Sequence, residues 1–364
     1  MIRRFVCITL LAFAVLSCRT APNQLDEDQA PRSRYAGVAG ESPVGVIPEG
    51  VVRDAERDTD IVFTVEYPTR PGSYPLIVFS HGFGATRGAY VGLSSHWASQ
   101  GYVVIKPAHS DSGKLQSSAG RDAWRDQTPA DWRNRVGDIK AILDALDRVE
   151  ENYPELKGKI DRTKITVGGH SYGAFTAMLL GGAKTYPGAV SYADPRVKAI
   201  VAMSPQGPSD MFGLTNDSFN EIRVPVLFMT GTFDRGMTES ETPEWRRQAF
   251  ELAPAGDKWL VVLEGARQSS FTGRIDPTME GSRGTNNEGP MLGEPTSPTR
   301  NPAPRPDPRT PGRESVTGLR IRGTFANVKA ISLAFFDTYL RNDAEGRTAL
   351  EGVGSRGGVE LVKK

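Results

Sequence analysis

Apolar positions along the chain fall into two alternating patterns from Asp60 onward. DIVFTVEYP (60–68) alternates like a strand with one covered face, while YPLIVFS (74–80) and GYVVIKP (101–107) are continuous apolar runs. Continuous runs of that length suit strands buried on both faces. Between them, YVGLSSHWASQ (90–100) reads as a helix that carries His96 on its surface. WRNRVGDIKAILDALDRVEENY (132–153) places Val136, Ile139, Ile142, Leu143 and Leu146 at helical spacing. Further on, KITVGG, VKAIVAMS, VPVLFMTG and finally WLVVLEG read as strands, and AFTAMLLGGA and FANVKAISLAFFDTYLRND as helices. Strands of the buried kind alternating with helices predict an α/β fold: an open, mostly parallel twisted sheet with helices on both faces. No internal repeat is visible.

The pattern lapses in three places. Residues 281–315 hold eight prolines and almost nothing apolar, so this insert is expected to be disordered. Residues 19–50 are polar and without periodicity, which suits a flexible tether. Residues 351–364 read as a C-terminal tail, leaving 51–350 as the folded domain. Residues 1–18, MIRRFVCITLLAFAVLSC, join two arginines to an apolar run too short to span a bilayer, the pattern of a secretory signal. Its ending, Val15-Leu16-Ser17-Cys18, resembles a bacterial lipobox. On that reading Cys18 is lipidated and ties the protein to the cell envelope membrane; the alternative is ordinary cleavage near Ser17 without lipid.

Composition narrows the function classes. Among 364 residues, 24% are charged and the net charge is +1, so nothing in the electrostatics points to nucleic acid. The four histidines (His81, His96, His109, His170) are scattered and no carboxylate pair lies at ligand spacing, so neither a metal nor another cofactor is expected.

The strongest chemical signal is a strand, then Gly169-His170-Ser171-Tyr172-Gly173, then a helix. This is G-x-S-x-G in the strand–turn–helix setting that turns it into a nucleophile elbow. The glycines allow a sharp turn, Ser171 is held at a helix start, and the Tyr172 N–H points where an oxyanion forms. Two more segments follow strand ends: SHGFGATRGAY, with His81 and Phe83, and TGTFDRG, with Asp234.

From about Val52 to Asp343 the chain resembles the α/β-hydrolase superfamily, in the predicted dienelactone hydrolase and platelet-activating-factor-acetylhydrolase-like branch. The resemblance is carried by RDTDIVFTVEYP, YPLIVFSHGFGATRGAY, WASQGYVVIKPAHSDSG, DWRNRVGDIKAILDAL, GGHSYGAFTAMLLGGA, DPRVKAIVAMSP and VPVLFMTGTFD. It implies a serine hydrolase of small carboxylic esters. The N–H of Phe83 becomes the second oxyanion donor, His81 supports that loop, and Asp234 is the acid, with Asp210 as runner-up. True dienelactone hydrolases carry cysteine where this chain has Ser171.

The resemblance also implies a histidine after the last strand, and here the chain departs from it. The matching stretch reads Gly265-Ala266-Arg267-Gln268-Ser269-Ser270-Phe271, and no histidine follows His170. Gln268 stands where the general base belongs, and an amide accepts no proton at neutral pH. Four readings remain open: a non-catalytic scaffold that binds an acyl or ester ligand, a base recruited from elsewhere, an inactivated copy of an enzyme, or a shifted match. His109, at the end of GYVVIKPAH, is the one replacement base in view; its other reading is a brace for the neighbouring loop. A different class, an envelope adhesion or assembly module, also fits a tethered protein with a proline-rich loop.

Overall fold

The computed structural model describes residues 33–113, 129–273 and 316–364; the expected signal segment, Cys18 and the 281–315 insert lie outside the described residues. In chain order the strands are β1 (Val44–Asp54), β2 (Thr59–Pro68), β3 (Tyr74–Ser80), β4 (Val103–Pro107), β5 (Ile160–His170), the two-residue pair β6 (Lys184–Thr185) and β7 (Val190–Ser191), β8 (Val197–Met203), β9 (Val226–Gly231), β10 (Lys258–Leu263) and β11 (Val359–Lys363). The helices are α1 (Val91–Ser99), α2 (Pro129–Asp144), α3 (Leu146–Asn152), α4 (Tyr172–Leu180), α5 (Pro243–Leu252), α6 (Val316–Leu340) and α7 (Ala344–Glu351).

Nine strands form one sheet in the order β1-β2-β4-β3-β5-β8-β9-β10-β11. Strands β4 through β10 in that order run parallel; β1, β2 and β11 are antiparallel additions at the two edges. This is the expected mostly parallel α/β sheet. Successive side chains of β3 separate to its two faces: Leu76 and Val78 join Ile139, Ile142 and Phe175 of α2 and α4, while Ile77 and Phe79 join Leu93, Trp97 and Phe336 of α1 and α6. Both faces are thereby covered, which is why these strands read as unbroken apolar runs. Parallel strands also bring the loops after β3, β5, β8, β9 and β10 to a single edge of the sheet, where ligands bind in open α/β folds.

Three expectations are corrected. Residues 33–50 are no tether: Tyr35 is buried, its hydroxyl donates to Asp337 Oδ2 at 3.0 Å, and β1 begins at Val44. Asp337, fully buried on α6, also accepts from Tyr102 and Arg341 and pairs with Arg34. The strand was hidden because β1 is an edge strand with a register shift between Ile47 and Gly50, and it carries Pro48, which only an edge tolerates. Residues 359–363 are likewise no tail, since β11 pairs with β10 from Trp259↔Lys363 to Leu263↔Val359. His96 is not on the surface. It is 3% exposed, and burial pushes its pKa down to about 4, with Lys329 adding to the effect.

Candidate active site

Ser171 sits between β5 and α4 with φ +53° and ψ −119°, a backbone conformation that costs an L-residue roughly 1–3 kcal/mol. Its N–H donates to Met203 O at 2.8 Å, and its carbonyl accepts from Ala174 N at 2.8 Å. The flanking glycines have a different reason from the turn freedom expected of them. A Cβ on Gly169 would stand 2.1 Å from Gly173 O, and one on Gly173 would stand 2.0 Å from Ser80 O. Close backbone approach excludes any side chain there.

After β10 the chain closes into a tight 3-10 turn, Gln268–Thr272, anchored by Phe271, whose fully buried ring lies 5.9 Å from that of His170. This delivers the Gln268 side chain to the serine: Nε2 lies 2.9 Å from Ser171 Oγ. The amide donates and the hydroxyl oxygen accepts. Turned over, the amide would present a carbonyl oxygen that holds no proton at neutral pH, so neither face abstracts one.

Asp234 follows β9 as expected but does not join this pair. Its Oδ2 accepts from Thr230 Oγ1 at 2.9 Å, Oδ1 pairs with Arg246 Nε at 3.1 Å, and the Ser204 side chain is a further hydrogen-bond partner of the carboxylate. Arg246, fully buried on α5, also donates to the carbonyls of Asp234, Ser204 and Pro205. Burial pushes the Asp234 carboxyl up, against the pull of Arg246. Ser171 and Gln268 are therefore in contact while the carboxylate is held one step away, by Thr230 and Arg246. Asp210, the alternative acid, is exposed.

The loop after β3 is held by groups that sequence reasoning passed over. Arg135 of α2, fully buried, forms a two-pronged pair with Asp111 (Nε–Oδ1 3.0 Å, Nη2–Oδ2 2.7 Å) and donates to His81 O at 2.6 Å. Asp111 Oδ2 in turn accepts from Gly84 N at 2.7 Å. Burial alone would raise the Asp111 carboxyl, but the Arg135 charge outweighs it and holds the group well below the carboxylate range. The guanidinium also stacks 4.4 Å from the Tyr172 ring, which meets Phe83 edge-on at 6.1 Å. The two expected oxyanion residues thus stand together. A signal for Arg135 was present: it lies four residues before Ile139, on the apolar stripe of its helix.

The remaining histidines are engaged. His81 Nδ1 bonds Gly82 O at 2.7 Å and its Nε2 accepts from His109 N at 3.3 Å; burial and then Arg135 drive its pKa well below the ordinary value. His109 has one nitrogen on Ser80 Oγ at 2.9 Å and the other on Asp138 Oδ2 at 2.8 Å, with its side chain fully buried. With both nitrogens occupied it braces the ends of β3 and β4 and offers no base to Ser171. His170 bonds the Tyr90 hydroxyl at 2.8 Å, and burial, with Arg246 nearby, lowers its pKa to about 3.

A serine at a strand-to-helix turn, a clamped loop after β3 and a buried carboxyl after β9 thus follow parallel strands of one sheet. Residues 55–151 and 137–244, together just over half of the chain, match the family described as platelet-activating factor acetylhydrolase, isoform II. The chain belongs to this family. It is an ester-hydrolase family of the α/β-hydrolase superfamily. Among similar proteins, the platelet-activating factor acetylhydrolase of Cavia porcellus is 23% identical over 235 residues, 56% of this chain and 50% of that protein. That of Bos taurus is 29% identical over 231 residues, 54% and 48% of the two chains. The enzyme of Canis lupus familiaris is 34% identical over 146 residues, 30% and 33%. The chain thus spans half or less of the length of these relatives. The acetylhydrolase family match takes in the loop after β3, the elbow and Asp234, and ends before Gln268.

Proposed function

We propose that this acetylhydrolase-family protein binds a small neutral carboxylic ester at Ser171 and hydrolyses it poorly. The observation that carries the reading is the 2.9 Å contact from Gln268 Nε2 to Ser171 Oγ. For Ser171 to attack an ester carbonyl its proton must go to a base, and that base must return it to the departing alcohol. Gln268 can do neither. Two neighbours support the reading: the rings of Phe83 and Tyr172, the residues expected to supply the oxyanion N–H groups, meet edge-on at 6.1 Å, and Asp234 follows β9 as the expected acid.

The test is hydrolysis of p-nitrophenyl acetate by the purified protein and by Gln268→His. The substitution should raise kcat/KM by roughly a thousandfold or more, since loss of the base costs a serine hydrolase about a millionfold. Ser171→Ala in that background should remove the gain. Turnover by the unmodified protein at about 1–1000 per second, the ordinary enzyme range, would overturn the reading.

A further inference from the structure

A trans peptide unit is planar, so its C=O and N–H point in opposite directions and fixing one fixes the other. The Phe83 N–H, the donor expected to meet an oxyanion, shares its peptide unit with the Gly82 carbonyl. That carbonyl is held by three groups: His81 Nδ1 at 2.7 Å, Ala85 N at 3.2 Å and Arg135 Nη2 at 3.4 Å. Arg135 does more than add the third bond. Its Nη1 donates to the His81 carbonyl at 2.6 Å, just before this peptide. Its ion-pair partner Asp111 accepts from Gly84 N at 2.7 Å, just after it. The same guanidinium lies 4.4 Å from the centre of the Tyr172 ring, and Tyr172, the first residue of α4, carries the other expected donor. One fully buried side chain of α2 thus meets both halves of the expected oxyanion site, and neither Ser171 nor Gln268 is among its hydrogen-bond partners.

We propose that Arg135 is a positioning residue for the ester reaction: it aims the Phe83 N–H at the oxyanion position and fixes that peptide relative to the Tyr172 turn. This inference rests on the ester-site reading above. A rigid planar fork suits the task, because an ammonium of equal charge cannot make all of these bonds at once. Full negative charge develops on the carbonyl oxygen only as the serine attacks, so the donors matter most in the transition state. Loosening the fork therefore lowers kcat and leaves KM nearly unchanged. A buried ion pair that only supports the fold gives a different result: a lower melting temperature, with unaltered turnover by the molecules that stay folded.

The background for the test is Gln268→His, assayed on p-nitrophenyl acetate and on O-p-nitrophenyl thionoacetate, whose carbonyl oxygen is replaced by sulfur, a poor hydrogen-bond acceptor. Arg135→Lys keeps the charge and removes the fork. It should lower kcat on the oxygen ester by about 100-fold, the effect of losing one oxyanion donor, with KM held within about threefold. The thiono ester, which draws little from the donors, should lose much less, so the oxygen-to-sulfur ratio of kcat/KM falls by about tenfold or more. Rates are referred to the folded fraction, read by circular dichroism at the assay temperature. An unchanged ratio, whatever happens to stability, would overturn the proposal and leave the ester site standing. A rise in KM with kcat unchanged would do the same. Should Arg135→Lys not fold, Asp111→Asn replaces it: one amide oxygen then stands where two carboxylate oxygens hold Arg135 and Gly84, and the same fall in the ratio is expected. If Gln268→His hydrolyses neither ester, both readings fall together.

Discussion

Gly173 shows how little freedom single positions have around the nucleophile. A methyl group there would meet Ser80 O at 2.0 Å, and both partners belong to fixed backbone. Gly173→Ala should therefore cost about 3 kcal/mol, at the upper end for overpacking, read as a lower denaturant midpoint with an unchanged slope. His96 makes a second prediction at this scale. Its pKa is about 4 in the fold against an ordinary 6.5, so above pH 6.5 it contributes nothing to the pH dependence. Between 6.5 and 4 the unfolded chain takes up a proton that the native state refuses, and stability falls as the pH falls. From pH 7.5 to 5 this should remove about 2 kcal/mol, at 1.36 kcal/mol per pH unit below 6.5. His170, lowered to about 3, acts in the same direction. Urea unfolding of wild type and His96→Leu at the two pH values checks it, since the variant should lose less on acidification.

Among elements, β11 is the one whose removal has the clearest consequence. It covers the outer edge of β10, where Trp259, Val261 and Leu263 are buried. Ending the chain at Arg356 should leave that edge unpaired and favour association between copies, seen as concentration-dependent light scattering. β11 also shows where sequence reading runs out. The central strands were legible because both their faces are covered, so that nearly every residue is apolar. β1 and β11 lie at edges, half exposed, and their alternation is diluted by Pro48 and by charged residues such as Glu360. The site divides in a similar way. Ser171 could be placed from the G-x-S-x-G turn after its strand and Asp234 from the end of its apolar run, while Gln268 was marked only through the resemblance to the hydrolase family. The Arg135–Asp111 clamp and the Arg246 hold on Asp234 join residues 24 and 12 positions apart through tertiary packing, and no local pattern announces them.

At the level of the whole molecule, the described residues contain no helix long and apolar enough to cross a membrane. We propose separately that Cys18 is a lipid-modified N-terminus after removal of the signal and attaches the protein to the cell envelope. Radiolabelled palmitate fed to a bacterial host should mark the wild-type chain and not Cys18→Ala; equal labelling of both, or none of either, would refute the anchor.

The contact between Gly173 and Ser80 carries one further consequence. The atoms that shape this cleft are the same ones that lock a helix to the middle of the sheet, so erosion of the cleft would unravel the body around it. A lineage that gave up its imidazole would still inherit an intact mould, generation after generation, for reasons of foldability alone. Preserved shape is therefore mute about whether turnover is under selection, and only an exchangeable side chain that touches Ser171, such as that at 268, can record the chemistry done there.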